Sequence, residues 1–283
     1  MDTRTFITLV LLTTFLMGVA FPVGKLGLAF APPFFLMGLR YLLAGGLFAL
    51  LGIHKPLPSG AKQWAQVAII GLIQSTGVMG CVYYSMQWLS SSESAVLTFL
   101  SPLLVILFGS LFTGAVYQAR VWIGVAVGFA GVFVTFGFHM KLNPGTWIGL
   151  LGAICFAVAT LLVKHWGYAF HPQVLSAYQM LAGGIGLLAL SLIAEKPYFI
   201  LTLSSIVIML FLIIMCTIVQ TSVWFNLLLK NDPGRTSSFL FLAPLFGVLT
   251  SWLLLGEAIH SHIALGGVLI CAGVFLVNTR GKL

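Results

Sequence analysis

The sequence predicts an all-α membrane protein: ten transmembrane helices, arranged as two inverted five-helix repeats, with both termini cytoplasmic. Three observations predict it. The chain is short of charge, its apolar runs are regularly spaced, and its two halves resemble each other. Of 283 residues, 60% are hydrophobic and 6% are charged. A soluble domain carries about 25% charged residues, so this chain could not cover a water-facing surface, and its apolar side chains must face lipid.

The spans follow from length. A hydrocarbon core of about 30 Å needs about 20 apolar residues per helix. In chain order the runs are 5–27, 33–53, 62–89, 92–114, 120–138, 145–166, 172–194, 203–229, 233–255 and 262–278. The gaps between them hold Pro, Gly, Ser, His, Asn and most of the charges, and none could hold a soluble domain. The first run resembles a signal peptide in composition. It is followed by Lys25 and not by a small-residue cleavage site, so it reads as span 1.

Orientation follows from the loop charges. With the N-terminus inside, the cytoplasmic ends hold Arg4, Lys55, Lys62, Arg120, Lys164, Lys230, Arg235, Arg280 and Lys282. The opposite ends hold Lys25, Lys141 and Lys196. That asymmetry is a positive-inside bias. It also accounts for the net charge of +8: the cations are spread singly between apolar runs and form no phosphate-binding stripe, so nucleic acid is excluded as a partner. Cys81, Cys155, Cys216 and Cys271 all lie inside apolar runs, without ligand spacing. They read as packing residues, with no disulfide, metal or cofactor expected.

The halves align in order. Phe99-Leu100-Ser101-Pro102-Leu103 matches Phe241-Leu242-Ala243-Pro244-Leu245 at an offset of 142, which also pairs Gly114 with Gly256 and Ala130-Gly131-Val132-Phe133 with Ala272-Gly273-Val274-Phe275. Earlier, Lys25 pairs with Lys164, Pro33 with Pro172, and Ala44-Gly45-Gly46 with Ala182-Gly183-Gly184. Residues 1–140 thus form one repeat and 141–283 the second. Five spans is an odd number, so the second repeat enters the membrane from the opposite side. Secondary transporters are built this way, with the substrate site at the repeat interface near the midplane.

The residues of the family pattern then come into view. They are Gly18 and Lys25-Leu26-Gly27 in span 1, and Pro33 with Leu39-Arg40-Tyr41-Leu42-Leu43-Ala44 in span 2. Tyr83-Tyr84-Ser85-Met86-Gln87 follows, running on to Ser101-Pro102-Leu103, and later come Leu255-Gly256-Glu257, Gly266-Gly267 and Ala272-Gly273-Val274. On these the chain resembles, over essentially its whole length, the drug/metabolite transporter superfamily and within it the EamA family of ten-helix carriers. It departs from that pattern in two places. A Trp-Gly pair usual in span 1 is Met17-Gly18, and the Gly-Glu after span 4 is Gly114-Ala115, although its repeat mate Gly256-Glu257 is intact. The resemblance implies export of amino acids or related metabolites across a bacterial inner membrane, by alternating access, with a small molecule and the bilayer as partners. A homodimer is compatible with it.

Candidate site residues fall in five spans. Pro102 and Pro244 stand in register near the middles of spans 4 and 9, as helix-break or gating positions. Each removes a helical hydrogen bond and crowds the carbonyl four residues earlier, that of Thr98 or Leu240. Freed backbone at that depth must face protein or water, so the breaks mark a site or are kinks satisfied by neighbouring helices. Arg40 is the one basic residue well inside a span, about 10 Å from the outer end of span 2. It contacts either an anionic substrate group or a structural partner, and Glu93 is the nearest carboxylate by depth. Since Arg40 belongs to the family pattern whatever the substrate, the structural role is slightly favoured.

In span 3, Gln74, Gly77, Cys81, Ser85 and Trp88 recur at helical steps, with Tyr83 and Tyr84 nearby. In span 8 stand Thr217, Gln220, Thr221 and Trp224, with Asn226 beyond. Amides and hydroxyls avoid lipid. The substrate-binding candidates are therefore Arg40, Gln74, Tyr83, Tyr84, Trp88, Thr98, Gln220, Trp224 and Asn226, around an aromatic cavity with a few polar groups. The carboxylates Asp2, Glu93, Glu195, Asp232 and Glu257 all fall near span ends. With no evident proton relay, facilitated diffusion or exchange is expected over proton coupling.

Glu257, His260 and His262 form a small cluster read as interfacial and not as a metal site. An intramembrane enzyme would need a nucleophile–base pair or carboxylate cluster at depth, and the sequence has none. A nucleotide-sugar or phosphometabolite antiporter, or a lipid-precursor flippase, of the same superfamily remains the alternative.

Overall fold

A computed structural model describes residues 2–52, 54–113, 117–135, 143–230, 239–258 and 260–278. The described residues form helices and no strands. The helices are α1 (Thr3–Gly27), α2 (Pro33–Leu51), α3 (Gly60–Ser85), α4 (Ser91–Thr98), α5 (Ser101–Thr113) and α6 (Ala119–Thr135). They continue with α7 (Pro144–Trp166), α8 (Pro172–Ala194), α9 (Leu203–Ile213, Ile214–Val219 and Gln220–Lys230), α10 (Leu242–Leu255) and α11 (Ser261–Asn278). Seven described helical stretches are long and apolar enough to cross a membrane, the α4–α5 pair counting as one, and three shorter apolar helices accompany them. The first residues of the expected span 9 lie outside the described residues.

Helix starts are set by local chemistry. Proline occupies the first helical position of α2, α7 and α8, where its missing N–H costs nothing. The Asn143 side chain caps α7 by accepting from Thr146 N–H. Ser90 and Glu93 close a reciprocal capping box on α4, which satisfies two orphan donors at once.

Packing relates the two halves. α2 lies along α8, and α6 along α11, so equivalent helices pair across the molecule. α1 packs on α10, and its counterpart α7 packs on α4 and α5. Small residues permit these approaches. A Cβ at Gly18 would stand 2.7 Å from the Ala243 carbonyl oxygen, and one at Gly131 would stand 2.8 Å from that of Gly266. Gly131 of α6 and Gly273 of α11 thus each meet the backbone of the opposite helix.

The bundle has two distinguishable ends. The near end gathers Phe6, Val10 and Leu227 with Phe239. The far end gathers the end of α1 at Lys25, the starts of α2 and α4, and the chain just after α8 and α10. The two longest helices, α3 and α9, are locally widened into π-helix, over Leu72–Met79 and Ile214–Val219. Such widening inserts a residue into the helical step and is frequent at functional sites.

Candidate functional site

Between the two halves lies a cavity of about 390 Å³. The two π-helical segments form part of its wall, contributing Gln74, Ser75 and Met79 on one side and Cys216 and Thr217 on the other. Its far limit is set by Phe21, Arg40 and Tyr83, and toward the near end it reaches Trp224 and Leu240.

Arg40 is buried, with 3% exposure. Its Nε donates to Thr217 Oγ1 at 3.0 Å, one terminal nitrogen donates to the Cys216 carbonyl at 3.1 Å, and the other reaches the Tyr83 hydroxyl at 3.4 Å. Tyr83 in turn donates to the Ala20 carbonyl at 2.7 Å, and its ring fills the space where a Cβ of Gly24 would be. The expected neighbour Glu93 is not a partner of Arg40. Its carboxylate accepts from Ser90 N–H at 2.8 Å and is consumed in the helix cap. Depth alone placed the pair together, and the demand of the α4 terminus for an acceptor separates them. Among the described residues no carboxylate contacts Arg40, so its charge is held by neutral acceptors.

Six of the nine substrate-binding candidates line this cavity: Arg40, Gln74, Tyr83, Thr98, Gln220 and Trp224. Three do not. Tyr84 stacks on Phe34 with ring centroids 4.9 Å apart, and Trp88 meets Tyr84 edge-on and is 44% exposed. Asn226 is exposed, because it lies two residues past Trp224 and so points to the other side of the helix. The stripe Gly77, Cys81, Ser85 and Trp88 is real but faces α7: Cβ atoms at Gly152 and Gly145 would press on Cys81 and Trp88. The π segment begins at Leu72, just before Gln74, so regular stepping from Gln74 does not carry to Trp88.

Both prolines stand in the first turn of a helix, and Pro102 follows a break. The helix stops at Thr98 and restarts at Ser101, one residue before Pro102. In the second half a single 3₁₀ turn, Phe239–Phe241, precedes α10 and Pro244. Thr98 and Leu240, whose carbonyls the prolines free, both line the central cavity. Pro102 and Pro244 themselves line a small adjoining space of about 50 Å³.

Ser176 and Gln179 of α8 also line the cavity, and the sequence reading passed over them. The signal was present, since an amide inside an apolar span is disfavoured in lipid wherever it occurs.

A second polar assembly joins the two halves at the far end. Gly256, with φ of +64°, ends α10 in the left-handed region that glycine enters without strain, and so turns Glu257 back over the start of α4. The Glu257 carboxylate accepts from Ser91 N–H at 2.8 Å, Ser92 N–H at 3.1 Å and Ser92 Oγ at 2.8 Å. Lys25 Nζ stands 3.4 Å from it and donates to the Leu89 carbonyl at 2.9 Å. Burial alone would raise the Glu257 carboxyl, but the donors from Ser91 and Ser92, with the Lys25 ammonium, hold it below its ordinary value. The expected cluster with His260 and His262 is not formed around Glu257. The two imidazoles stack on each other, with centroids 5.3 Å apart.

The family model described as EamA-like transporter family matches residues 4–137 and 143–279. The chain belongs to the EamA-like transporter family. It is thereby a multi-pass membrane transporter of the drug/metabolite transporter superfamily. Among its relatives is the uncharacterized inner membrane transporter YedA of Escherichia coli (strain K12), 30% identical over 274 residues, covering 94% of this chain and 87% of that one. The uncharacterized transporter YvbV of Bacillus subtilis is 27% identical over 286 residues, covering 99% and 93%. A chloroplastic WAT1-related protein of Arabidopsis thaliana is 28% identical, covering 93% of this chain and 67% of its own length. A solved crystal structure superposes with a TM-score of 0.68 at 17% identity, covering 97% of this EamA-like chain and 96% of that one, a likeness of fold.

Proposed function

We infer that this EamA-like chain exports amino acids or related small metabolites across a bacterial inner membrane, through ten spans with both termini cytoplasmic. The observation that carries the reading is the central cavity. It sets one buried cation, Arg40, among amides, hydroxyls and aromatic rings, and its 390 Å³ suits a solute of amino-acid size. Such a wall offers an acid group one partner and an apolar side chain several. A nucleotide sugar or phosphorylated metabolite would call for several cations, and the described lining supplies one.

Transport proceeds by alternating access. The far end is closed by Glu257 on α4 and by Glu195, whose carboxylate accepts from Phe34 and Phe35 N–H at the start of α2. Those contacts break when the cavity turns to face the far side. No carboxylate stands in the described lining, so exchange or facilitated diffusion is favoured over proton coupling.

Counterflow in proteoliposomes tests the reading, with amino acids, sugars, nucleotide sugars and a fluorescent lipid as cargo. Accumulation of labelled amino acid driven by its unlabelled counterpart, at equal internal and external pH, is the expected result. Flux confined to nucleotide sugars or to the lipid contradicts it, and so does a strict requirement for a proton gradient after membrane potential is clamped.

A further inference from the structure

The small space beside the central cavity shares a wall with it. Met17, Phe99, Ser101, Phe156 and Leu240 line both. The rest of the small space is lined by Pro102, Pro244, Ile270 and Cys271. It is a recess of the cavity, of about 50 Å³, set between the two repeat-related prolines.

The wall of the recess is apolar. Proline carries no N–H, so Pro102 and Pro244 present no backbone donor to it. In the described lining Ser101 supplies the one hydroxyl, and no residue is charged. A void leaves its lining atoms without dispersion partners, and an apolar cavity stays dry and takes apolar guests.

Depth ties the recess to the cation. The Tyr83 hydroxyl accepts from Arg40 and donates to the Ala20 carbonyl, which puts the guanidinium near the level of Ala20 on α1. Met17 stands about 4.5 Å from Ala20 along the axis, toward the near end. Both residues line the central cavity, so they share a side of α1. A solute whose acid group lies at Arg40 therefore has the recess within about one helical turn of its own depth.

We propose that the recess between Pro102 and Pro244 is the side-chain pocket of the cargo site, and that it takes the branched aliphatic side chain of an amino acid whose carboxylate lies toward Arg40. This rests on the reading of the central cavity as the cargo site and narrows it. The cargo is of the leucine class, not an amide amino acid. An amide of the same shape brings an NH₂ group and a carbonyl oxygen. The single Ser101 hydroxyl cannot pair them all, and a buried polar group without a partner is costly.

Flux of matched pairs tests the proposal, in proteoliposomes carrying the full chain. Leucine and asparagine have side chains of like shape. 4-Methylpentanoate and succinamate are the same pair without the amino group, each corrected for flux into protein-free vesicles. The wild type is expected to prefer the aliphatic member of a transported pair by about tenfold or more. Cys271→Leu, which fills the recess, should cut leucine flux by about tenfold. Alanine should still move, and that retained flux shows that the variant is folded. Met17→Ala, which widens the recess, should raise phenylalanine flux relative to leucine by about threefold or more, and it decides the matter if Cys271→Leu moves no solute. A wild type that lacks the aliphatic preference overturns the proposal. So does a folded Cys271→Leu with an unchanged leucine-to-alanine ratio, or Met17→Ala with an unchanged phenylalanine-to-leucine ratio. If only the acids without the amino group move and show the preference, the amino-acid reading fails and the recess stands. If neither pair moves, both fail.

Discussion

The two ends of the bundle are held by different physics. At the far end, two carboxylates of the second half, Glu195 and Glu257, sit on the amino termini of two helices of the first half. Each satisfies backbone donors that the helix itself cannot pair, and each meets the positive end of a helix dipole. At the near end the described contacts between halves are mostly apolar: Phe6 meets Phe239 edge-on at 5.7 Å, and Trp64 meets Tyr178 edge-on at 4.9 Å. The far-end contacts therefore depend on protonation and salt, and the described aromatic contacts at the near end do not. The sequence mirrors the difference, since the Gly-Glu pair survives at 256–257 and is Gly-Ala at 114–115, although Ala115 lies outside the described residues.

Breaking the far end outright has the largest expected effect. Glu257→Ala leaves the α4 terminus without its acceptor and Lys25 without its anion. The far-closed state should weaken by about 2 kcal/mol, roughly thirtyfold in the closed-to-open ratio. Faster labelling of a Phe21→Cys probe by an impermeant thiol reagent at the far face, with the four native cysteines replaced, is the readout. Acid should act in the same direction. A carboxyl held below its ordinary 4.5 stabilises the closed state above that value, and the stabilisation fades as pH falls through the lowered pKa. Labelling should therefore rise below about pH 4.5 in the wild type, and Glu257→Gln should flatten the pH profile. At the near end, Phe6→Leu, which removes the edge-on ring contact but keeps most of the side-chain volume, should lower stability in detergent by about 1 kcal/mol, by the same amount at pH 7 and pH 5. Lys25→Met should matter least. Its side chain is 29% exposed, and an ion pair of that kind contributes less than about 1 kcal/mol and is screened by salt. A small rise in labelling that disappears in high salt is expected.

Much of this was legible in the sequence, and the gaps have physical causes. Span positions follow from apolar run length, and where both ends are described the helices begin and end within a few residues of the runs; the end of span 5 and the start of span 9 lie outside the described residues. The break at Pro102 was legible because proline acts through its own backbone. Face assignment in span 3 was not. A π-helical segment leaves no sequence mark that a periodicity of 3.6 can detect, so Trp88 was grouped with Gln74 although it packs beside α7. Arg40 is buried, but its partners Thr217 and Cys216 lie 177 and 176 residues away. Such a contact depends on how the halves dock, which one-dimensional pattern does not carry. Glu257 was read as interfacial. Its role depends on the left-handed turn at Gly256, and the intact Gly-Glu pair was the available hint.

The central claim is that cargo sits in the cavity between the halves and not among the outer aromatics of α3. Flux through four purified variants in proteoliposomes tests it most directly. Gln74→Ala and Trp224→Ala, which remove cavity walls, should each cut flux at least about tenfold, as expected when a solute loses a well-placed hydrogen bond or aromatic contact. Tyr84→Ala and Trp88→Ala, outside the cavity, should stay within about twofold of the wild type, as peripheral contacts do. Loss of flux in the outer pair with the cavity pair unaffected would contradict the account.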